Sequence, residues 1–250
     1  MSGMPIAIIS DLHSNLEALD AVLHHAEGLA RIDAVWCTGD IVGYCADPSA
    51  VIARVRQLDA VCVAGNHDLV ACGKMGVQDF NPIAAAAALW QGEQLSPGER
   101  DWLAALPLVR QEGRSESAFT LVHGSLRAPE WEYLLDHEAA EAHFALQTTP
   151  YSIVGHSHQQ FRVVEDGGAP RFVRATDGSS VALDRNRLIL NAGSTGQPRD
   201  GDPRAGYILY HQDAAIATWH RVEYDIEAAQ KRIVEAGLNP WLAERLAIGH

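Results

Sequence analysis

The sequence lacks the features of several common protein classes. It has only four cysteines in 250 residues, and no two of them form a C-x-x-C pair, so a disulfide scaffold is not expected. Positive charge is scarce: 19 lysines and arginines stand against 32 aspartates and glutamates, for a net charge of −13. An acidic chain does not suit binding that relies on neutralising many phosphates, so nucleic acid is not an expected partner.

Long apolar segments are also absent. The longest apolar run, Ile83 to Trp90, is too short to span a bilayer. The first residues, MSGMP, do not combine a basic stretch with an apolar one as a secretory signal does. We therefore expect a cytoplasmic protein that does not associate with a membrane.

The first 65 residues alternate between apolar β-rich runs and helical segments. Strands are predicted at Ile6–Ile9, Ala34–Cys37 and Ala60–Ala64. Capping signals at Ser14 and Asp47 predict that a helix follows each of the first two strands. This βαβαβ order is typical of a mostly parallel sheet.

The remainder of the chain turns from helical to strand-rich. Capping signals at Asn81 and Ser96 predict two helices inside the segment Leu69–Gly113, which could shape a pocket. Further strands are predicted at Phe119–Val122, Ser152–Val154, Phe161–Val164, Arg171–Ala175, Leu188–Leu190, Tyr207–Tyr210 and Ala215–Trp219. Helices starting at Asp225 and Pro240 close the chain. Because no repeat or low-complexity linker interrupts it, we expect one domain over residues 1–250.

Five short polar segments each follow an apolar run. In order they read D-L-H (11–13), G-D (39–40), G-N-H-D (65–68), H-G (123–124) and G-H-S-H (155–158). Residues just past the carboxyl ends of strands lie at the edge where open α/β sheets bind ligands. Oxygen donors mixed with imidazoles suit Mn²⁺, Fe or Zn²⁺. The set therefore indicates a two-metal site.

This ordered set resembles the calcineurin-like metallophosphoesterase superfamily, whose signature is D-x-H, G-D, G-N-H-D/E, H and G-H-x-H. The stretches GDIVGY (39–44), VHGS (122–125) and NAGSTGQPRD (191–200) are similar to a bacterial subgroup described as diadenosine tetraphosphatase-like or YfcE-like. The resemblance implies an α/β fold, a four-layer αββα sandwich of two mixed sheets flanked by helices. It also implies that the chain hydrolyses a small phosphodiester, nucleotide or phosphomonoester with a metal-activated water.

The resemblance further implies roles for the matching residues. Two divalent ions, drawn from Mn, Fe, Zn, Mg and Ni, would be held by Asp11, His13 and His158 on one side, by Asn66, His123 and His156 on the other, and by Asp40 between them. His67 would lie beside the pair and donate a proton to the leaving group or orient the phosphate. Asp40 and His67 are thus the expected catalytic residues, and Asn66 and His67 are expected to touch the substrate.

The chain departs from the phosphoprotein phosphatase branch of that superfamily, which carries G-D-x-V-D-R-G and R-G-N-H-E. Tyr44 and Ala64 stand where that branch has two phosphate-binding arginines, and Gly43 stands where it has an aspartate. A phosphoserine or phosphothreonine phosphatase is therefore not expected. Arg199 and Arg204 are predicted to bind the substrate instead.

Other residues near the motifs receive weaker predictions. Arg127 is a further candidate for the substrate, Asn191 and Ser194 are candidates for a second wall of the site, and Trp131, Tyr133 and Tyr44 could stack on a base, although core packing is the favoured interpretation.

Two other functions remain open at this stage. A non-catalytic interaction module on the same fold is one, but such relatives typically lose motif residues and none is lost here. A nuclease is the other, and the acidic balance argues against it. The sequence leaves self-association open.

Overall fold

The chain folds into two six-stranded mixed sheets with helices on their outer faces. The computed structural model describes residues 5–113, 117–184 and 187–250. Residues 1–4 lie outside the described residues. They are part of the MSGMP segment, in which no secretory signal was predicted. The predicted four-layer αββα sandwich is confirmed.

The first sheet contains the strands of the predicted βαβαβ unit. Its order is β3 (Val61–Cys62), β2 (Ala34–Cys37), β1 (Ile6–Ile9), β11 (Ala205–His211), β12 (Ile216–Val222) and β9 (Ser180–Ala182). The first three strands are parallel and the others pair antiparallel. In β1, Ile8 faces the second sheet and Ile9 faces the helices, which explains why this strand is apolar throughout.

The second sheet comes from the strand-rich half of the chain. Its order is β4 (Val109–Glu112), β5 (Phe119–Val122), β6 (Tyr151–Val154), β10 (Leu188–Ala192), β7 (Gln160–Asp166) and β8 (Ala169–Arg174). Strands β5, β6 and β10 are parallel, while β7 and β8 form a hairpin that turns at Gly167.

Eight helices complete the layers over the described residues: α1 (Leu16–Leu29), α2 (Pro48–Gln57), α3 (Asn66–Ala71), α4 (Pro82–Gln94), α5 (Pro97–Ala104), α6 (His137–Leu146), α7 (Ile226–Glu235) and α8 (Pro240–Glu244). The buried side chains of α1 and α2 pack on the first sheet, and those of α6 pack on the second. Among the described residues, none of these helices has the length and apolar character needed to cross a membrane.

Large side chains fill the space between the sheets. Trp36 and Trp219 from the first sheet meet Phe119 and Tyr151 from the second. The indole N–H of Trp219 donates a hydrogen bond to the carbonyl of Asn191 at 2.8 Å. The buried indole N–H therefore has a hydrogen-bond partner, and the aromatic side chains hold the two sheets face to face.

Four elements were not predicted. Helix α3 is only six residues long and lies inside the G-N-H-D motif, so it shows no helical periodicity. Strands β4 and β9 are short and mostly solvent-exposed, and their sequences do not alternate between apolar and polar residues. Helix α6 does carry a readable signal, because the Asp136 side chain accepts a hydrogen bond from the Ala139 N–H.

Candidate metal centre

The five polar segments meet where the edges of the two sheets come together. Asp11 and His13 follow β1, Asp40 follows β2, Asn66 follows β3, His123 follows β5, and His156 and His158 follow β6. All seven side chains are buried. Strand direction explains the convergence, because the carboxyl ends of parallel strands lie at the same edge of a sheet.

One group of ligands consists of Asp11, His13 and His158. The Nε2 atoms of His13 and His158 lie 3.1 Å apart. Oδ1 of Asp11 lies 3.1 Å from Nε2 of His158 and 3.9 Å from Nε2 of His13. Three donor atoms therefore surround one point.

A second group forms around His123. Its Nε2 lies 3.1 Å from Nδ1 of His156, 3.2 Å from Oδ1 of Asn66 and 3.3 Å from Oδ2 of Asp40. This arrangement brings together a carboxylate, an amide oxygen and two imidazoles.

Asp40 lies between the two groups. Its Oδ2 is 3.6 Å from Nε2 of His13 and 3.3 Å from Nε2 of His123. Its Oδ1 accepts a hydrogen bond from the backbone N–H of His67 at 2.9 Å, which fixes the orientation of the carboxylate. One carboxylate oxygen can therefore serve both groups.

The donor spacing fits divalent cations. Two donors bound to one transition-metal ion at about 2.0–2.2 Å lie about 3 Å apart when the angle between them is about 90–110°. The contacts of 3.1 Å within each group match that spacing. Hard oxygens mixed with imidazoles are the ligands expected for such ions.

The ligand loops have unusual backbone conformations. Five ligand residues have φ values in the left-handed region, namely Asp11 (51°), His13 (47°), Asp40 (51°), His156 (63°) and His158 (58°). Such conformations are rare for residues with side chains and cluster at functional sites. Hydrogen bonds between the loops hold them in place, including His13 N–H to the Asp40 carbonyl at 2.9 Å and Asp11 N–H to the Gly39 carbonyl at 3.0 Å.

Backbone carbonyls orient two of the imidazoles. Nδ1 of His123 lies 2.8 Å from the carbonyl of Thr38, and Nδ1 of His158 lies 2.5 Å from that of Gln197. When Nδ1 carries the proton, the lone pair of Nε2 points into the ligand group. The sequence alone does not identify these acceptors.

The charges of the site also suit cations. Burial lowers the pKa of His156 to about 3 and that of His13 well below its ordinary value, which keeps both imidazoles neutral. Burial alone would raise the pKa of Asp40. The nearby His123 and His67 have the opposite and larger effect, so the pKa of Asp40 lies well below the ordinary value. Burial also opposes protonation of His123, yet Asp40 raises the pKa of this imidazole to about 9. The carboxylate of Asp40 thus stays ionised and attracts positive charge.

Two close approaches explain why glycine occupies positions 43 and 65. A Cβ at Gly65 would lie 2.1 Å from Oδ1 of Asp40. A Cβ at Gly43 would lie 2.5 Å from Nδ1 of His13 and 2.9 Å from Nδ1 of His67, and its φ is +134°. The aspartate that phosphoprotein phosphatases carry at the position of Gly43 therefore has no room here.

Asp68, the last residue of G-N-H-D, joins two of the ligand loops. It is fully buried. Its Oδ1 accepts a hydrogen bond from the Val42 N–H and its Oδ2 accepts one from the Gly65 N–H, both at 3.0 Å. Asp68 therefore braces the Asp40 and Asn66 loops.

A cavity of about 130 Å³ opens beside the ligands, and His67 lines it. One ring nitrogen of His67 lies within 4.8 Å of ligand atoms of His13 and Asp40. Its ring packs edge-on against those of His13 and Phe80. Burial lowers the pKa of His67 to about 4. The structure thus places His67 beside both ligand groups and next to the space for a substrate.

The three candidate arginines have different surroundings. Arg199 lines the cavity, its guanidinium carbon lies 5.4 Å from the centre of the Tyr44 ring, and its Nε has no hydrogen-bond partner among the described residues. Arg204 is instead paired with Asp202 and Asp177, and Arg127 with glutamates on the surface. Arg204 is not among the residues that line this cavity and its charge is shared with two carboxylates, so its role towards the substrate stays a prediction.

Asn191 and Ser194 support the site from behind instead of forming a second wall. The Asn191 amide donates to the Gly155 carbonyl at 2.9 Å, and the Ser194 hydroxyl donates to the Asp11 carbonyl at 2.7 Å. Both contacts fix loops that carry ligands.

The cavity walls include residues whose roles the sequence did not reveal. Trp131 and Tyr133 line the cavity and Tyr133 is 45 % exposed, so core packing is the wrong interpretation for these two. Tyr133 stacks on the imidazole of His156 with ring centres 3.9 Å apart. The predicted helical segment contributes Phe80 and Asn81, and their only sequence signal is the helix cap at Asn81.

Comparisons with known proteins identify the family of the chain. Residues 4–214 match the model of the calcineurin-like phosphoesterase superfamily domain. An uncharacterized protein of Methanocaldococcus jannaschii is 36 % identical over 245 residues, which cover 98 % of each chain. A symmetrical bis(5'-nucleosyl)-tetraphosphatase of Glaesserella parasuis is 30 % identical over 132 residues, which cover 52 % of this chain and 47 % of the relative.

A solved structure shows the same architecture over nearly the full length. The metallophosphoesterase from Sphaerobacter thermophilus has a TM-score of 0.87 and 40 % identity, and 99 % of each chain is covered. With the family match over most of its length, the chain belongs to the calcineurin-like phosphoesterase superfamily.

Proposed function

We propose that this protein is a dinuclear metal-dependent phosphoesterase that hydrolyses a small phosphodiester, nucleotide or phosphomonoester. The observation that carries the proposal is the position of Asp40 Oδ2, which lies 3.6 Å from His13 and 3.3 Å from His123 and so faces both ligand groups. The family match supports a hydrolase of phosphoric esters.

The ligands would hold two divalent cations, one in each group with Asp40 shared. Such ions supply positive charge to a phosphoryl group and lower the pKa of the water that attacks it. The protein contributes rigid geometry: buried ligands, strained loops and carbonyls that aim the imidazoles. Preorganisation of this kind provides most of the catalysis in phosphoryl transfer.

His67 and Arg199 both line the cavity and act on the substrate there. His67, a neutral imidazole because burial lowers its pKa to about 4, donates a hydrogen bond to the leaving oxygen or to the phosphate, since one of its ring nitrogens lies within 4.8 Å of ligand atoms of His13 and Asp40 and its side chain lines the cavity. Arg199 lines the cavity and supplies a guanidinium for a phosphate oxygen. It thereby replaces the arginines that are missing at Tyr44 and Ala64.

The substrate is a small phosphorylated molecule, as the size of the cavity favours. The similarity to a symmetrical bis(5'-nucleosyl)-tetraphosphatase supports a nucleotide ester within that class. The acidic chain makes a nucleic acid an unfavourable substrate.

The test compares hydrolysis of bis(p-nitrophenyl) phosphate and p-nitrophenyl phosphate by protein loaded with Mn²⁺. Asp40→Asn and His67→Ala are the test variants, and His24→Ala, which changes an exposed histidine on α1, is the matched control. We expect at least about a 100-fold loss of kcat/KM in each test variant, an unchanged control, and no turnover after chelation.

Metal content measured on the same samples separates the roles. Asp40→Asn should lose metal, whereas His67→Ala should keep it. Near-normal activity in both test variants refutes the proposal. Bound metal without turnover of either ester in the parent protein refutes it in favour of a non-catalytic module.

A further inference from the structure

A second cavity lies beside the metal centre and shares a wall with the first. It has a volume of about 490 Å³, compared with about 130 Å³ at the metal centre. Because small-molecule sites usually measure about 300–1,000 Å³, the first cavity alone holds only a small part of such a ligand. Arg199 lines both cavities. A phosphate bound at the metal centre can therefore carry a second group past Arg199.

The second cavity has apolar walls. Leu135, Phe161 and Phe172 line it, and the two phenyl rings have centres 5.7 Å apart. Leu135 is 46 % exposed and Phe172 is half-buried. An exposed apolar surface inside a cavity favours a flat apolar group, because its burial removes that surface from water.

Two buried acceptors belong to residues that line the same cavity. Oε1 of Gln160 and Oδ1 of Asp200 have no hydrogen-bond partner within the described part of the chain. The amide of Gln160 donates to the carbonyls of Ala192 and His220, both at 3.0 Å, which fixes its orientation. The other carboxylate oxygen of Asp200 pairs with Arg221. Both oxygens are closed to solvent, so a ligand would meet Gln160 and Asp200 as polar parts of the cavity wall beside the apolar side chains.

Two guanidinium groups lie along the cavity. Arg174 donates to the carbonyl of Asp200 at 3.1 Å, and Nε of Arg199 has no partner among the described residues. In a chain with a net charge of −13, two arginines beside one cavity favour a ligand that carries negative charge, as a phosphate ester does.

We infer that the second cavity is the nucleobase subsite of the substrate. A nucleobase is flat, has apolar faces and carries N–H donors at its edge, and in a nucleotide it is joined to the phosphate by a short sugar linker. The substrate is then a nucleotide ester whose phosphate lies at the metal centre and whose base lies against Phe172 and Leu135. This inference rests on the proposed phosphoesterase function.

The experiment measures binding of adenosine 5'-monophosphate and methyl phosphate to the Mn²⁺-loaded protein by calorimetry. Both ligands carry the phosphate, but only the first carries a base. We expect the nucleotide to bind at least about tenfold more tightly, since stacking of a base on an aromatic side chain contributes on that scale. Phe172→Ala and Leu135→Ala should each remove most of this advantage and leave the affinity for methyl phosphate unchanged.

Two further variants make the result decisive. Leu146→Ala, which changes an exposed leucine outside both cavities, is the matched control and should keep the full advantage. Trp131→Leu tests the alternative that the base lies in the first cavity. Loss of the advantage in Trp131→Leu with retention in Phe172→Ala overturns the inference, as does equal binding of the two ligands by the parent protein.

The inference and the proposed function fail in different ways. Turnover of the nitrophenyl esters without any preference for the nucleotide refutes only the base subsite. A nucleotide preference without turnover refutes only the hydrolysis. Leu135 lies in an exposed segment outside the helices and strands, so Leu135→Ala keeps the test valid if Phe172→Ala fails to fold.

Discussion

Removal of the Asp68 carboxylate should destabilise the protein even without metal. Its two oxygens are the acceptors for the Val42 and Gly65 N–H groups, and Asp68 is fully buried. Asp68→Ala leaves two buried donors unsatisfied. At about 1–3 kcal/mol for each donor, the free energy of unfolding should fall by about 2–6 kcal/mol. Asp68→Asn keeps one acceptor, so about half of that loss is expected.

Urea denaturation in the presence of a chelator provides the assay, because bound metal would otherwise add its own stabilisation. Asp20→Asn is the matched control: Asp20 is exposed and its pair with Arg54 is a surface contact, so the change should stay within about 0.5 kcal/mol. If both Asp68 variants unfold within 0.5 kcal/mol of the parent protein, the carboxylate does not brace the loops and this reasoning is wrong.

Three other predictions concern the substrate, the ligand loops and pH. Arg199→Ala should raise KM for a nitrophenyl ester about tenfold or more, while Arg204→Ala should change it less than twofold, and steady-state kinetics distinguish the two. Gly65→Ala should lower the metal content measured by elemental analysis, because the new Cβ would displace the carboxylate of Asp40. Burial lowers the pKa of His143 to about 4 from 6.5. Below pH 6.5 His143 is protonated in the unfolded chain but stays neutral in the folded one. The contribution of His143 to the free energy of unfolding is therefore fully present above pH 6.5 and falls by up to about 3 kcal/mol towards pH 4. In His143→Gln, the free energy of unfolding measured by urea denaturation should depend less on pH. If it changes equally with pH in the variant and the parent protein, His143 is not the group responsible.

The ligand set could be predicted because each of its members follows a strand. A β-branched run ends and a polar residue begins, as at Ile9 and Asp11, and this boundary is local. The strands are parallel over β1, β2 and β3, so the same kind of boundary recurs at one edge. Periodicity and capping residues, which act within a few positions along the chain, predicted these elements well.

Partners of charged and aromatic side chains could not be predicted in the same way. Arg199 and Arg204 lie five positions apart in one glycine- and proline-rich loop, yet only the first lines the cavity. The difference arises because Asp177, distant in sequence, pairs with Arg204. Tyr133 is likewise exposed in the cavity because its ring stacks on His156, which is distant in sequence.

The sequence by itself determined most of the strands and helices, the residue types available as ligands and the absence of an arginine at Tyr44. These follow from local preferences and from chemical identity. The tertiary structure decided that Asp40 lies between two ligand groups, that carbonyls of Thr38 and Gln197 aim the imidazoles, and that Arg199 joins two cavities. Contacts of this kind join residues that are distant in sequence, such as His13 and His158, which are 145 positions apart, and only the packing of two sheets brings them together.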